Sequence, residues 1–245
     1  MNVVAIGIAT VVAASVAVAG EAGRAGSVAP TVERSALICR VSTTTRVAFL
    51  TFDDGPGQYT PAILELLREH GIRAVFFVLG DVAQYRTGVL RRIADEGHEI
   101  GNHTWTHRQW YAAEKKMESP QLLNLMEQEL ADTERLIGAT VGIPPRFVRM
   151  PGGFYRTWMN PMLRRRDYRI INWTAGYDWH RMSEDEMVER YCQALAPGGI
   201  YLFHDGGAHR SLTVAVVRRF VRYALEHGYA FGVLGEWIGS AEKSP

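Results

Sequence analysis

Two adjacent carboxylates, Asp53 and Asp54, follow the apolar run Val47–Phe52 and lead into Gly55-Pro56. Further along comes His103-Thr104-Trp105-Thr106-His107, with two imidazoles four residues apart. One carboxylate and two histidines make a facial ligand set for a divalent ion, the kind that keeps a position open for water. The second carboxylate is then free to handle a proton. If the aspartates and both histidines meet in space, the sequence describes a metal hydrolase. The helical zinc-protease pattern is absent, because Thr104 rather than Glu follows His103.

The elements that must position these residues alternate between β and α. The β-rich runs are Val47–Phe52, Ala74–Leu79, Glu99–Gly101, Phe147–Arg149, Tyr168–Trp173, Ile200–His204 and Tyr229–Leu234. Between them lie helical stretches with clear punctuation. Thr60, Ser119 and Asn160 each precede a proline and are expected to cap helices. Ser183 with Glu186 reads as a capping box. Gly71, Gly97 and Gly228 stand where helix ends need a left-handed residue. Leu122, Met126, Leu130 and Ile137 mark the apolar face of the longest helix, and Val214, Val217, Val221 and Leu225 that of the last long one. Alternating β and α predicts an α/β fold with a parallel sheet, and about seven units over this length predict a barrel or near-barrel. No glycine fingerprint follows the first strand, which argues against a dinucleotide fold.

In such folds the active site lies at the carboxyl ends of the strands. Every chemically suggestive residue falls there. Asp53 and Asp54 end the first run, His103 and His107 follow the third, and Arg149 ends the fourth. Asp178 comes just past the fifth and His204 ends the sixth. Singly, each has a bland explanation: Asp-Asp-Gly-Pro makes a good turn, two histidines can be a surface accident, and an arginine can pair at a strand end. Jointly they do not sort to one rim by chance. His98 is expected to support a turn, and His70, His180, His209 and His227 are assigned no role.

With these residues in hand, the chain resembles the polysaccharide deacetylases, the fourth carbohydrate esterase family, over roughly Arg46 to Trp237. The resemblance rests on Thr51-Phe52-Asp53-Asp54-Gly55-Pro56 and His103-Thr104-x-x-His107, which are specific together. Arg149-x-Pro151, Asp178-Trp179 and Leu202-x-His204 then follow in the family's order. It implies a distorted (β/α) barrel, with Asp54, His103 and His107 binding a divalent metal. Zinc is the first choice, with cobalt or another divalent ion the alternative. It further implies Asp53 as general base held by Arg149, His204 as general acid partnered by Asp178, and Trp179 with Leu202 around the acetyl methyl. The backbone N–H of Gly152 is the expected oxyanion donor. One departure stands out: Gly152-Gly153 follow Pro151 where the family often has an aromatic residue. That wall of the sugar groove is either missing or supplied by Phe154, Tyr155 or Trp158. The implied substrate is an N-acetylated glycan, such as peptidoglycan or chitin oligosaccharides. Acetylated xylan is the second enzyme reading and a non-catalytic carbohydrate-binding relative the third.

Composition bounds the rest. The 245 residues carry 27 basic and 26 acidic side chains, a net charge of +1, so no footprint for nucleic acid exists. Arg164-Arg165-Arg166 and Arg218-Arg219 read as solvated helix faces. Residues 1–19 are uncharged after the start and end in Ala17-Val18-Ala19, the pattern of a signal peptide, although the leading stretch lacks Lys and Arg. An exported or cell-envelope protein follows, with an uncleaved anchor and a buried N-terminal helix as alternatives. Residues 20–40 read as a tether and 41–245 as the catalytic domain. Cys39 and Cys192 could pair in an oxidising compartment, or Cys192 could simply be a small buried hydrophobe.

Overall fold

The computed structural model describes residues 37–207 and 210–240. The expected signal peptide, most of the tether and His209 lie outside the described residues. No helix among the described residues is long and apolar enough to cross a membrane.

In chain order the strands are β1 (Leu37–Ile38), β2 (Val47–Gly55), β3 (Val75–Val78), β4 (Glu99–Asn102), β5 (Phe147–Val148), β6 (Arg169–Ile171), β7 (Ala175–Gly176), β8 (Gly199–His204) and β9 (Ala230–Phe231). The helices are α1 (Thr60–Glu69), α2 (Gly80–Ala83), α3 (Thr87–Asp95), α4 (Trp110–Glu114), α5 (Ser119–Val141), α6 (Asn160–Arg165), α7 (Glu184–Gln193), α8 (Ser211–Glu226) and α9 (Leu234–Ser240). All seven expected β runs appear as strands, and the two-residue β1 and β7 are added. Leu37–Ile38, expected as tether, is therefore part of the sheet. The order is β1-β6-β5-β4-β3-β2-β8-β7, with β9 also on β2, and the strand pairs are parallel. The sheet curls towards closure. An antiparallel bridge joins Arg40 to Gly199, and Thr174 donates to the carbonyl of Cys39 at 2.7 Å. This is the distorted (β/α) barrel the motifs imply.

Alternation along each strand sorts side chains into two cores. On β2, Ala48, Leu50 and Phe52 point to the helix side, where Phe52 stacks on Phe76 and Phe203 at centroid distances of 5.0 and 5.9 Å. Val47 and Phe49 point inward and join Val75, Phe77, Phe147, Ile171 and Ile200 in the barrel interior, closed from below by Leu234. Thr51 and Asp53 continue that inward row towards the mouth. Sequence alternation thus delivers Asp53 to the pocket above a dry floor.

Punctuation agrees in part. The Ser183–Glu186 capping box forms, and Gly71, Gly97 and Gly228 take φ of 64°, 80° and 74°. Thr60, Ser119 and Asn160 do not cap through their side chains. The Thr60 hydroxyl is engaged elsewhere, accepting from Gly57 N–H at 2.7 Å and donating to Asp205. The Asn160 side chain accepts from the Tyr155 hydroxyl at 2.8 Å. On α8 the buried face is turned from the expected one: Val216, Val217, Phe220 and Val221 are buried and Leu225 is exposed. The basic clusters lie on the surface against acids, with Arg165 on Glu127, Arg166 on Glu134 and Arg218 on Glu69. Cys39 and Cys192 are free thiols, the first exposed and the second packed against the helix-side core.

Candidate active site

The pairing of β2 with β3 shifts register between Asp53 and Gly55, and Asp54 sits in this bulge with φ 71°. A regular strand would send Asp53 and Asp54 to opposite faces. The extra residue instead turns Asp54 to the same mouth as Asp53. Close contact with the end of β8 fixes the turn. The N–H groups of Asp205 and Gly206 both donate to the Asp53 carbonyl, at 3.1 and 3.3 Å. A Cβ on Gly206 would lie 1.9 Å from the Asp54 carbonyl oxygen, and one on Gly55 would lie 2.2 Å from the Asp205 carboxylate. Only glycine fits at either place. Burial pushes the Asp205 carboxyl up to about 7, against the hydrogen bond from Thr60.

The two histidines come from the loop after β4. Asn102 at the strand end accepts from Thr104 N–H at 2.9 Å. Its amide group donates to the Leu130 carbonyl and to the Tyr168 hydroxyl, both at 2.9 Å. The loop is then gripped by one buried carboxylate, Glu129 of α5. It accepts from Trp105 N–H at 2.9 Å, Thr106 N–H at 2.7 Å and the Thr106 hydroxyl at 2.6 Å. His103 Nδ1 lies 2.6 Å from the Arg149 carbonyl. A carbonyl only accepts, so Nδ1 carries the proton and Nε2 is left as the lone-pair donor.

That lone pair faces Asp54. His103 Nε2 and His107 Nε2 each lie 3.4 Å from Asp54 Oδ1, and the ligand atoms of the three residues fall within 4.8 Å of one another. Asp54 Oδ1 is buried with no hydrogen-bond partner. Burial would raise the Asp54 carboxyl, but the imidazoles of His103, His204 and His107 outweigh it and hold the group well below the usual carboxylate range. Burial also lowers His107, favouring its neutral, ligating form. An orphaned carboxylate oxygen between two imidazole nitrogens is a fitting site for a divalent cation.

Two further pairs flank this set. Arg149, fully buried, donates to Asp53 Oδ1 at 2.7 Å, and His103 Nε2 is 3.6 Å from Asp53 Oδ2. The guanidinium is itself fixed by Thr51 and by the carbonyls of Ile171 and Asn172, and lies over the Phe77 ring at 4.2 Å. On the other side, His204 Nδ1–H donates to Asp178 Oδ1 at 2.7 Å. Asp178 Oδ2 accepts from His204 N–H and from the Thr213 hydroxyl, each at 2.8 Å. Burial works against a charged His204, yet the hydrogen bond and charge of Asp178 prevail and raise its pKa. Asp53, Asp54, His103, His107 and His204 share a cavity of about 340 Å³ with Gly152, Trp173, Trp179, Leu202 and Arg210.

All ten residues expected from the sequence thus converge at one mouth or directly behind it. Phe154, Tyr155 and Trp158 do not form its wall. Phe154 is buried, and the other two pack against the same core. Sequence reading passed over Glu129, Asn102, Asp205, Trp173 and Arg210. Glu129 alone left a trace: it falls at helical spacing among Leu122, Met126 and Thr133, an acid on a buried stripe.

Comparison with known proteins points the same way. A family model described as polysaccharide deacetylase matches residues 40–171. A peptidoglycan-N-acetylglucosamine deacetylase of Bacillus cereus is 31% identical over 197 residues, covering 79% of this chain and 88% of the relative. A chitooligosaccharide deacetylase of a Bradyrhizobium species is 32% identical over 179 residues, covering 71% and 78% respectively. The crystal structure of a peptidoglycan N-acetylglucosamine deacetylase bound to a naphthalenyl N-oxidanyl-benzamide superposes with a TM-score of 0.75 at 28% identity, covering 82% of this chain and 92% of that one.

Proposed function

Because the chain belongs to the polysaccharide deacetylase family, we propose that it is an exported, metal-dependent N-deacetylase that releases acetate from N-acetylglucosamine-type glycans. The observation that carries this reading is the orphaned Asp54 oxygen between His103 and His107, with Asp53 and His204 at the same mouth.

Asp54, His103 and His107 would hold the ion. A divalent cation there supplies Lewis-acid polarisation of the acetyl carbonyl and eases deprotonation of water. Zinc suits the mixed nitrogen and oxygen donors, and cobalt would serve as well. Asp53 takes the proton of the attacking water, with Arg149 fixing which oxygen it presents. Gly152, Leu202 and Trp179 line the same cavity; the Gly152 N–H would donate to the developing oxyanion, and Leu202 and Trp179 would pack the acetyl methyl. Collapse must expel an amine, a poor leaving group until protonated. His204 delivers that proton, and the hydrogen bond and charge of Asp178 raise its pKa, favouring the charged form that can donate. An ester would need this acid less, so the built-up Asp178–His204 pair favours the amide. All five reacting and ligating side chains are present, which speaks against a module that only binds.

The test is acetate release from peptidoglycan, chitin oligosaccharides and acetylated xylan, after chelation and again after adding back zinc or cobalt. Release from an N-acetylated glycan, lost on chelation and restored by metal, is expected. Turnover confined to acetylated xylan would replace the amide reading by the ester one. Glycan binding without acetate release in metal-loaded protein would replace both.

A further inference from the structure

The cavity wall at Gly152 has no side chain of its own. A Cβ built there would meet one neighbour, Tyr111 Cε2 at 3.9 Å, so the Tyr111 ring lies beside Gly152, which itself lines the cavity. Tyr111 lies on α4 beside Trp110, which is almost fully buried, yet Tyr111 is 47% exposed. The other exposed aromatic rings among the described residues are Tyr85 and Trp179, at 83% and 42%. These three follow β3, β4 and β7, so the exposed aromatic surface gathers on the carboxyl rim of the barrel.

Tyr111 is also held in place. Its ring meets Phe154 edge-on, with centroids 4.9 Å apart at 72°. The Arg156 guanidinium lies 5.4 Å from the Tyr111 centroid and 5.0 Å from that of Phe154. Arg156 is in turn clamped by Glu114 through bonds of 2.9 and 2.7 Å. An exposed aromatic ring braced in this way loses little rotamer freedom when a ligand covers it. Such a ring offers a flat apolar face to the C–H face of a pyranose.

We infer that Tyr111 is a specificity-determining platform for a sugar adjoining the one that is deacetylated, making a glycan chain a better substrate than a monosaccharide. The inference rests on the proposed N-deacetylase activity. The platform is carried by the helix after β4 and stands in for a side chain at position 152.

The experiment compares wild type with Tyr111→Leu, Tyr111→Ala and Tyr111→Phe, each loaded with zinc and checked for metal content. Substrates are an N-acetylglucosamine tetramer and 4-nitrophenyl acetate. Leucine keeps apolar packing on Phe154 without the ring, and phenylalanine keeps the ring. Loss of one aromatic contact is worth roughly a 3–10-fold rise in KM on the tetramer. The Leu and Ala variants should show it with kcat, ester turnover and metal content unchanged, and Phe should restore the wild-type KM. An unchanged KM in both Leu and Ala would overturn the platform while leaving the activity intact. So would an equal loss on the small ester, which would mark a structural role. A wild type silent on the tetramer would sink the proposed activity itself, and the platform with it.

Discussion

Removing the Arg149 guanidinium tests the architecture most directly. Arg149→Met keeps much of the stem but removes every donor. In the structure these donors serve Asp53 Oδ1 at 2.7 Å, Thr51 Oγ1 and Ile171 O at 2.9 Å, and Asn172 O at 3.0 Å. Asp53 is only 2% exposed, so its carboxylate would lose its hydrogen-bonded guanidinium with little water to replace it. Breaking one side of a buried ion pair costs about 3–5 kcal/mol, and the two orphaned carbonyls keep the figure at the upper end. For a domain of this size each kcal/mol moves the Tm by about 2–4 °C, so a fall of roughly 10–20 °C is expected.

Urea unfolding followed by far-UV circular dichroism, with chelator present, measures this without a contribution from bound metal. Arg149→Met combined with Asp53→Asn should recover part of the loss. Only neutral groups then stay unpaired, leaving a deficit of about 1–2 kcal/mol against wild type. A double variant no more stable than Arg149→Met alone would refute the reasoning. Arg149 would then be holding the carbonyls of Ile171 and Asn172, and its bond to Asp53 would be incidental.

Other outcomes follow from the same geometry. Glu129→Ala frees the three donors that brace the His103–His107 loop and should weaken zinc binding by roughly 10–100-fold in competition with a chromophoric chelator; unchanged affinity would show the loop holds itself. Asp53→Asn should retain the ion while turnover falls by roughly 10²–10⁴-fold, and loss of the ion would mean the two aspartates have exchanged roles. Asp178 raises the His204 pKa, so the alkaline limb of the kcat profile reports loss of the His204 proton. Asp178→Asn should therefore move that limb to lower pH, and a limb that stays put would remove His204 as the acid.

What the sequence made legible was whatever repeats or pairs locally. The seven β runs, the glycines after α1, α3 and α8, and the motif residues at strand ends are all read from neighbours in the chain. The two-residue strands β1 and β7 carry no period to detect, and they form because the curling sheet offers partners at its edges. Thr60 and Asn160 look like caps locally, yet Asp205 and Tyr155 claim their side chains. On α8, Phe220 rather than Leu225 is buried, because the aromatic cluster of Tyr191, Tyr201 and Phe203 lies on that side. Asp205 was invisible for the same reason, and Glu129 showed only as an acid on a buried stripe, because each acts on a segment far off in sequence.

The placement of the two proton-handling groups follows from register. In the parallel pairing of β2 with β8, Asp53 stands directly opposite His204. Base and acid therefore reach the mouth at the same level on adjacent strands, and a slip of one residue would send one of them into the helix-side core. The same alternation would bury the Asp54 carboxylate among Phe52 and Phe203, where a charge has no partner. The bulge averts this by holding Asp54 in the left-handed region, at a strain on the order of 1 kcal/mol or more. Glycines at 55 and 206 make room for the turn, and the amides of Asp205 and Gly206 on the Asp53 carbonyl hold it. Asp53-Asp54-Gly55 and His204-Asp205-Gly206 are thus two halves of one structure. A Cβ added at Gly206 would press on the backbone of Asp54 and displace the carboxylate that the two imidazoles face.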